Sequence, residues 1–172
     1  SKGNTFILFT SYSTLNYTYY LIRDELENLG FDLFIQGMAP RNQLINMYKA
    51  SNIPVLFGTD SFWEGVDVQG EKLSSVILVK LPFKVPSDPV VEAIIENMVK
   101  EGKNPFMDFQ IPESIIKFKQ GIGRLIRSKE DKGVITILDA RLYKKQYGRL
   151  FIEAIPTKNI NFSTRREILR LD

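Results

Sequence analysis

The sequence predicts an α/β domain in which a mostly parallel sheet is covered by helices on both faces. Two observations support this fold class: short apolar runs recur along the chain, and stretches with helical spacing lie between them. Strands buried on both faces form nearly unbroken apolar runs, whereas half-exposed strands alternate with polar residues. Strands that alternate with helices need crossover connections, which place the helices over a parallel sheet. The predicted architecture is therefore a doubly wound α/β layer.

Five segments are predicted strands, and the second of them, 31–35, is the weakest. In parallel sheets, ligands gather where the carboxyl ends of the strands meet the loops that follow. We therefore expect binding residues in these loops. The predicted strands are 6–9, 31–35, 55–57, 76–79 and 134–138.

The predicted helices follow from apolar spacing and from residues that start or stop helices. Gly30 closes the first helix as a C-cap, because glycine accepts the left-handed conformation that ends helices. Asp88 before Pro89 is typical of a capping side chain at a helix start. Residues 101–112 are predicted to be a surface connection, because glycine and proline punctuate them. The predicted helices cover approximately residues 15–29, 41–50, 89–100, 113–126 and 142–154.

Length and composition limit the classes of function. The chain has 172 residues, the size of one ordinary domain, so we expect a single domain over residues 1–172. Its 23 basic and 20 acidic residues give a net charge of +3, which suits a polyanionic partner without requiring one. The sequence has no cysteine and no histidine. Disulfides and thiolate metal sites are therefore excluded within it, and any chemistry must use carboxylates, Lys, Arg, hydroxyls and backbone amides.

The sequence also bears on location. No apolar run approaches the length of about twenty residues that a membrane span needs. With this result and the absence of cysteine, we expect a cytoplasmic protein. Because the sequence begins almost directly with an apolar strand and lacks an initiator methionine, we expect it to be a piece of a longer chain.

Residues 120–127 read QGIGRLIR and are the most informative segment. On a helix, Gln120, Arg124 and Arg127 share one face, because one or two turns separate them. Gly123 beside them leaves room for close approach. Two guanidinium groups held together suit the charge that spreads over a transferring phosphoryl group. The alternative interpretation is a solvated basic helix face.

Residues 58–67 read GTDSFWEGVD and directly follow a predicted buried strand. Small residues expose backbone amides that hold phosphate, and a carboxylate accepts a hydrogen bond from a sugar hydroxyl. This pattern indicates a loop that contacts phosphate and ribose. The alternative is a polar turn with Phe62 and Trp63 packed beneath it, although an exposed tryptophan can also stack on bases.

Two other segments only partly match nucleotide-binding patterns. Residues 65–72 have the glycine spacing of a phosphate-binding P-loop, but Glu71 stands where lysine is required and Lys72 where serine or threonine is required. The acidic run 24–27 lies in a predicted helix, whereas the acidic pair that holds magnesium in ATP-binding proteins lies at a strand end. The sequence thus lacks both the phosphate-binding loop and the magnesium-binding acidic pair that bind ATP strongly. We expect no metal site in it.

The segments 58–67 and 120–127 together resemble motifs V and VI of superfamily 2 helicases. Residues 80–89 (KLPFKVPSDP) and 63–70 (WEGVDVQG) resemble the matching stretches of the DinG branch. Residues 9–12 (FTSY) resemble motif IV, and residues 138–141 (LDAR) resemble the last core strand and its exit. The resemblance covers nearly the whole chain, from about residue 5 to about residue 155.

This resemblance implies the second RecA-like motor domain of a DinG/XPD-type DNA helicase, a three-layer α/β/α domain. In such motors two RecA-like domains close on ATP, and the second supplies arginine fingers. Arg124 and Arg127 would contact the terminal phosphate, Gln120 would support them, and Asp67 would reach the ribose. The implied ATP-facing residues are Arg124, Arg127, Gln120, Asp67, Gly65 and Gly123.

The resemblance also implies a track for single-stranded DNA. Thr59, with Thr10 and Ser11 of motif IV, would hold the DNA backbone, and Glu64 would link the two ligand sites. Contacts to phosphate that ignore the base sequence suit a motor that moves along DNA.

The implied cofactors are ATP and Mg²⁺, both bound mainly by a first motor domain outside this chain. An iron–sulfur cluster, where such a helicase has one, would also lie outside it. The implied partners are single-stranded DNA and that first, N-terminal RecA-like domain. We expect the isolated domain to be monomeric and inactive as an ATPase.

Two alternatives stay open from the sequence. Some DinG-like proteins are fused to an exonuclease domain, so the chain could be the motor-like domain of a nuclease. From a different class, it could be a non-catalytic α/β nucleic-acid-binding module, although the presence of both Arg124 and Arg127 argues against that interpretation.

Overall fold

The structure is a computed structural model that describes residues 3–59, 62, 68, 72–123, 125, 132–156 and 159–163. Its centre is a sheet of five parallel strands in the order β2-β3-β1-β4-β5. The predicted strands and the parallel sheet are confirmed, each strand to within one or two residues at its ends. The strands are β1 (Thr5–Leu8), β2 (Asp32–Ile35), β3 (Pro54–Gly58), β4 (Ser75–Leu78) and β5 (Val134–Ile137).

Among the described residues, four α-helices lie between strands in sequence and two follow β5. A single turn of π-helix, Phe106–Gln110, directly precedes the fourth α-helix. The α-helices are α1 (Tyr12–Asn28), α2 (Arg41–Ala50), α3 (Pro89–Lys100), α4 (Ile111–Ile122), α5 (Arg141–Lys144) and α6 (Gly148–Glu153).

The side chains of the central strands point alternately to the two faces of the sheet, so the apolar core forms two clusters, one on each face. In β1, Phe6 and Leu8 belong to the cluster with the apolar side chains of α2, α4 and α6. Ile7 and Phe9 belong to the other cluster, which α1 covers. Because successive side chains of a strand point to opposite faces, both faces are apolar and both carry helices. The three-layer α/β/α arrangement expected from the sequence is therefore confirmed.

The predicted end of the first helix is confirmed in detail. Gly30 has φ +88°, the left-handed region that favours glycine. Its N–H donates to Glu27 O at 2.9 Å, and Phe31 N–H donates to Leu26 O at 3.1 Å. This pair of bonds is the Schellman arrangement, which satisfies carbonyl groups that the helix end leaves without partners.

The cap predicted at the start of the third helix is also confirmed. Asp88 Oδ1 accepts hydrogen bonds from Val90 N–H at 2.9 Å and Val91 N–H at 3.2 Å. Pro89 occupies the first turn, where its missing N–H costs nothing.

Two predictions around α4 were wrong. Residues 106–110 are helical rather than part of a surface connection, because Asn104 Oδ1 accepts from Phe106 N–H and Met107 N–H and caps the segment. The α-helix also ends at Ile122 instead of continuing to residue 126. Gly123 is the C-cap of the helix, and Leu125 N–H donates to Ile122 O at 3.1 Å.

The single helix predicted over residues 142–154 is also wrong, since α5 and α6 replace it. Lys145 ends α5 with extended φ and ψ angles. The chain then folds back so closely that a Cβ atom on Gly148 would lie 2.1 Å from Leu142 O. Only glycine permits this contact, and the apolar spacing did not reveal the break.

We predict that Gly148→Ala destabilises the chain by about 2 kcal/mol or more, because the added methyl group forces the backbone of α5 and α6 apart. Urea denaturation followed by circular dichroism measures the change in the free energy of unfolding. Gly102→Ala is the matched control: Gly102 has φ +72° but open space around it, so only about 1 kcal/mol of backbone strain is expected. Equal losses in the two variants would contradict the steric argument.

Candidate nucleic-acid interface

The loops after β1, β2 and β3 meet at the carboxyl edge of the sheet. Phe9 N–H donates to Gly58 O and Gln36 N–H donates to Phe57 O, each at 2.9 Å. These bonds extend the parallel ladder by one residue beyond each strand, so the residues that follow are neighbours. The structure therefore places the predicted DNA contacts Thr10, Ser11 and Thr59 on one edge.

A side-chain network connects the three loops. Thr59 N–H donates to Gln36 Oε1 at 2.6 Å, and Thr59 Oγ1 donates to the same oxygen at 3.0 Å. Gln36 Nε2 donates to the hydroxyl group of Tyr12, the first residue of α1. Thr59 is buried and Gln36 partly so, whereas half of Tyr12 is exposed. Gln36 thus links the start of α1 to the end of β3.

A tight turn holds Gln36 in place. Met38 N–H donates to Ile35 O at 3.0 Å, and Gly37 between them has φ +99°. A type II turn requires this conformation at its third residue, which is why glycine follows Gln36. With its backbone fixed by the turn and by Phe57 O, Gln36 extends its side chain toward Thr59.

The two motif IV residues have different surroundings. Ser11 is the N-cap of α1: its Oγ accepts from Thr14 N–H at 3.3 Å and lies 2.9 Å from Thr14 Oγ1. This bond satisfies a backbone donor that the helix start would otherwise leave without a partner. Thr10 is partly buried in the loop between β1 and α1. Ser11 therefore has a structural role whether or not it touches DNA.

The start of motif V shows why glycine ends β3. A Cβ atom on Gly58 would lie 2.7 Å from Phe62 Cβ, so the phenylalanine packs directly on the glycine backbone. Phe62 is almost fully buried, as the alternative interpretation of this segment expected. Trp63, Glu64, Gly65 and Asp67 lie outside the described residues.

The described part of motif VI comprises residues 120–123 and Leu125. Gln120 is exposed in the last turn of α4, and Gly123 is the C-cap, with its N–H donating to Lys119 O at 2.8 Å. Leu125 packs against Gly133, next to the first residue of β5. The described helix ends at Ile122, and Arg124 and Arg127, on which the predicted shared face depends, lie outside the described residues.

A partly buried ion pair after β5 is hydrogen-bonded to the loop after β4. Asp139 Oδ2 accepts from Leu81 N–H at 2.9 Å and from Arg141 Nη2 at 2.6 Å. The Arg141 guanidinium also lies 5.1 Å from the centre of the Phe83 ring. Burial raises the pKa of Asp139, but the hydrogen bonds from Arg141 and Leu81 outweigh burial, so its net pKa lies below the usual value. The pair fixes the start of the 80–89 segment.

Sequence reasoning missed two kinds of residue at this edge. Gln36 and Tyr12 were not among the predicted contacts, although Gln36 is the first residue after β2 and the rule about carboxyl ends applies to it. The Asp139–Arg141 pair lay within a segment noted only for its resemblance. Its link to Leu81 could not be read from a sequence, because 58 residues separate the two partners.

The described residues contain no group of three or more acidic, cysteine or histidine side chains arranged to hold a metal ion. Among the same residues, no helix has the length and apolar character that crossing a bilayer requires.

Comparison with known families decides the class of the protein. The family model described as the helicase C-terminal domain matches residues 1–158 of the 172. The chain belongs to this family. The resemblance to DinG/XPD-type helicases read from its motifs is therefore confirmed.

Two similar proteins support this family assignment. The chain is 42% identical over 164 residues to the 3'-5' exonuclease DinG of Bacillus subtilis, covering 94% of this chain and 18% of that protein. It is 41% identical over 159 residues to the ATP-dependent DNA helicase YoaA of Haemophilus influenzae, covering 92% of this chain and 24% of that protein. The helicase domain thus spans less than a quarter of these two relatives.

A solved structure named XPD_APO shares the fold of the helicase domain. The superposition has a TM-score of 0.69 at 18% identity and covers 94% of this chain and 32% of the other. At this identity the similarity supports the fold alone, and it agrees with the RecA-like α/β layer expected from the sequence.

We predict that Asp139→Asn lowers the free energy of unfolding by about 2 kcal/mol at pH 7, because a hydrogen-bonded charge is lost and Arg141 keeps no anionic partner there. The pKa of Asp139 is lowered on folding, so its stabilisation is complete above the unfolded pKa of about 3.9 and is lost as the pH falls through the folded value. Urea denaturation between pH 7 and pH 2.5 should show the two proteins converging below pH 4.

The matched control for this prediction is Asp24→Asn. Asp24 pairs with Arg23 on the surface of α1 and is largely exposed. Exposed pairs contribute little, so this variant should match the original protein at every pH. A pH-independent gap for Asp139→Asn would contradict the electrostatic role of Asp139.

Proposed function

We propose that residues 1–172 form the second RecA-like motor domain of an ATP-dependent DNA helicase of the DinG/XPD type. It would contact single-stranded DNA at the carboxyl edge and supply arginine fingers to ATP hydrolysis. The observation that carries the proposal is the meeting of motif IV and motif V residues on one edge of a domain whose family is the helicase C-terminal domain.

The chemistry of the edge supports DNA backbone binding. Thr10, Ser11 and Thr59 offer hydroxyl groups, and Thr59 adds a backbone N–H that lies at the end of a strand. Such donors bind phosphate without reading bases, which is what movement along a strand requires. In the same proposal Glu64 connects the DNA contacts to the nucleotide.

The proposed contacts to ATP rest on the sequence motifs and on the family of the chain. Arg124 and Arg127 would stabilise the charge that develops on the terminal phosphate, and Gln120 would support them. Asp67, with Gly65 and Gly123, would face the rest of the nucleotide. The exposed position of Gln120 at the end of α4 is compatible with contact to a second domain.

The proposal assigns the main binding of ATP and Mg²⁺ to the N-terminal RecA-like domain of the full-length protein. The described residues offer no carboxylate cluster for magnesium, and the sequence offers no cysteine for an iron–sulfur cluster. The partners proposed are that domain and single-stranded DNA. The isolated chain would be monomeric and inactive as an ATPase.

A second candidate function has one observation in its favour. The relative in Bacillus subtilis is named a 3'-5' exonuclease. The full-length protein would then carry a nuclease domain beside a motor-like fold. Exonuclease assays on the full-length protein distinguish the candidates, since a nuclease would keep its activity when Arg127 is replaced and a helicase would lose unwinding.

We predict that the isolated chain binds a dT oligonucleotide weakly and that its affinity falls as the salt concentration rises, because phosphate contacts release counterions. Thr59→Val should weaken binding by about three- to tenfold through the loss of one hydrogen bond to phosphate. Fluorescence anisotropy across a salt series measures both effects. Thr136→Val in β5 is the control, and salt-independent binding would contradict a DNA track.

We predict that Arg127→Ala in the full-length protein lowers the rate of ATP hydrolysis by about a thousandfold or more while single-strand affinity stays within about twofold. Steady-state ATPase assays at saturating single-stranded DNA measure the rate, and thermal melting excludes unfolding. Arg124→Ala should behave alike, whereas Arg165→Ala, outside the motif, should change little. Equal small losses for Arg127 and Arg165 would refute the arginine-finger assignment and favour a non-catalytic binding module.

A further inference from the structure

We propose that the side chain of Gln36 occupies the DNA phosphate position at Thr59 and must move aside before the strand binds. This inference rests on the proposed function and extends it to a residue outside the motifs considered above. It makes Gln36 a built-in competitor that lowers single-strand affinity in the DNA-free state.

The hydrogen bonds of Thr59 carry the argument. Its backbone N–H and its hydroxyl are the two donors it can offer to a phosphate oxygen, because phosphate accepts and does not donate. Both donors point to one atom, Gln36 Oε1, at 2.6 Å and 3.0 Å. A phosphate oxygen that used both donors would have to take the place of that carboxamide oxygen.

Thr59 is only 5% exposed, and both of its donors are bonded to Gln36 Oε1. Gln36 itself is partly exposed. Movement of the glutamine side chain would therefore free both donors at once.

The surroundings of Gln36 suit such a movement. Its backbone stays fixed by the bond to Phe57 O and by the turn that Gly37 closes, so only the side chain needs to rotate. The bond from Nε2 to the half-exposed Tyr12 hydroxyl gives the side chain a second anchor on the starting turn of α1. Displacement of Gln36 by DNA would also break this hydrogen bond, so DNA binding at Thr59 would change the contacts of Tyr12 at the start of α1.

Gln36 could instead support DNA binding by positioning Thr59. The competing role and this supporting role predict opposite effects of removing the Gln36 side chain. A residue that merely positions Thr59 for DNA would, when removed, lower affinity. A competitor, when removed, raises affinity, because the ligand no longer has to displace it. The sign of one measurement therefore separates the two roles.

The experiment measures binding of a fluorescent dT oligonucleotide to the isolated chain, which is also the protein used for the affinity tests above. Gln36→Ala should bind about three- to tenfold more tightly than the original chain, the effect of freeing one or two hydrogen-bond donors. Gln36→Glu should bind more weakly, since a carboxylate holds the Thr59 donors more strongly and repels phosphate. Gln43→Ala, at an exposed glutamine of α2, is the control and should bind unchanged.

A double variant tests whether the gain passes through Thr59. In the Thr59→Val background, Gln36→Ala should bring a much smaller gain than in the original chain. Amide hydrogen exchange in the absence of DNA gives an independent readout, because Gln36→Ala should speed exchange at Thr59 if the 2.6 Å bond protects it.

Weaker or unchanged binding by a folded Gln36→Ala variant would overturn the inference. If Thr59→Val weakens binding but the Gln36 variants do not follow the expected order, only the competitor role fails. If neither Thr59→Val nor salt affects binding, the proposed DNA track fails, and the competitor role fails with it.

Discussion

The parallel register of the five strands is the constraint on which the rest of this domain depends. Each inner strand pairs with both neighbours without a shift, so the strand ends line up along straight edges. The loops after β1, β2 and β3 are adjacent for that reason alone. Residues as distant in sequence as Tyr12, Gln36 and Thr59 can form one network because hydrogen bonds between backbones fix where each loop begins.

Much of this fold could be predicted from the sequence, because buried parallel strands leave a strong apolar signal and Gly30 and Asp88 mark helix boundaries. The break at Gly148 could not, since it depends on how close the backbone comes to Leu142 O. The early end of α4 could not be predicted either. The apolar spacing continues past Ile122, although the helix ends there and Leu125 packs on Gly133.

The site was predictable in part. Thr10, Ser11 and Thr59 follow strands, and the general rule for parallel sheets placed them at one edge. Whether their donors are available is a different question, which only side-chain geometry answers. Gln36 and the partners of Asp139 emerge from contacts between loops far apart in sequence, and no local pattern encodes such contacts.

The predicted contact residues of motifs IV and V and the described end of motif VI lie at opposite ends of short strands. Thr10, Ser11 and Thr59 follow the strands, whereas Leu125 of motif VI packs on Gly133 just before β5, so at least the length of a four-residue strand, about 13 Å, separates the two groups. A close-packed sheet of this kind deforms little. A displacement applied at one end of the sheet therefore reaches the other end through rotation of the sheet as a whole, because little of it is absorbed by bending between the strands.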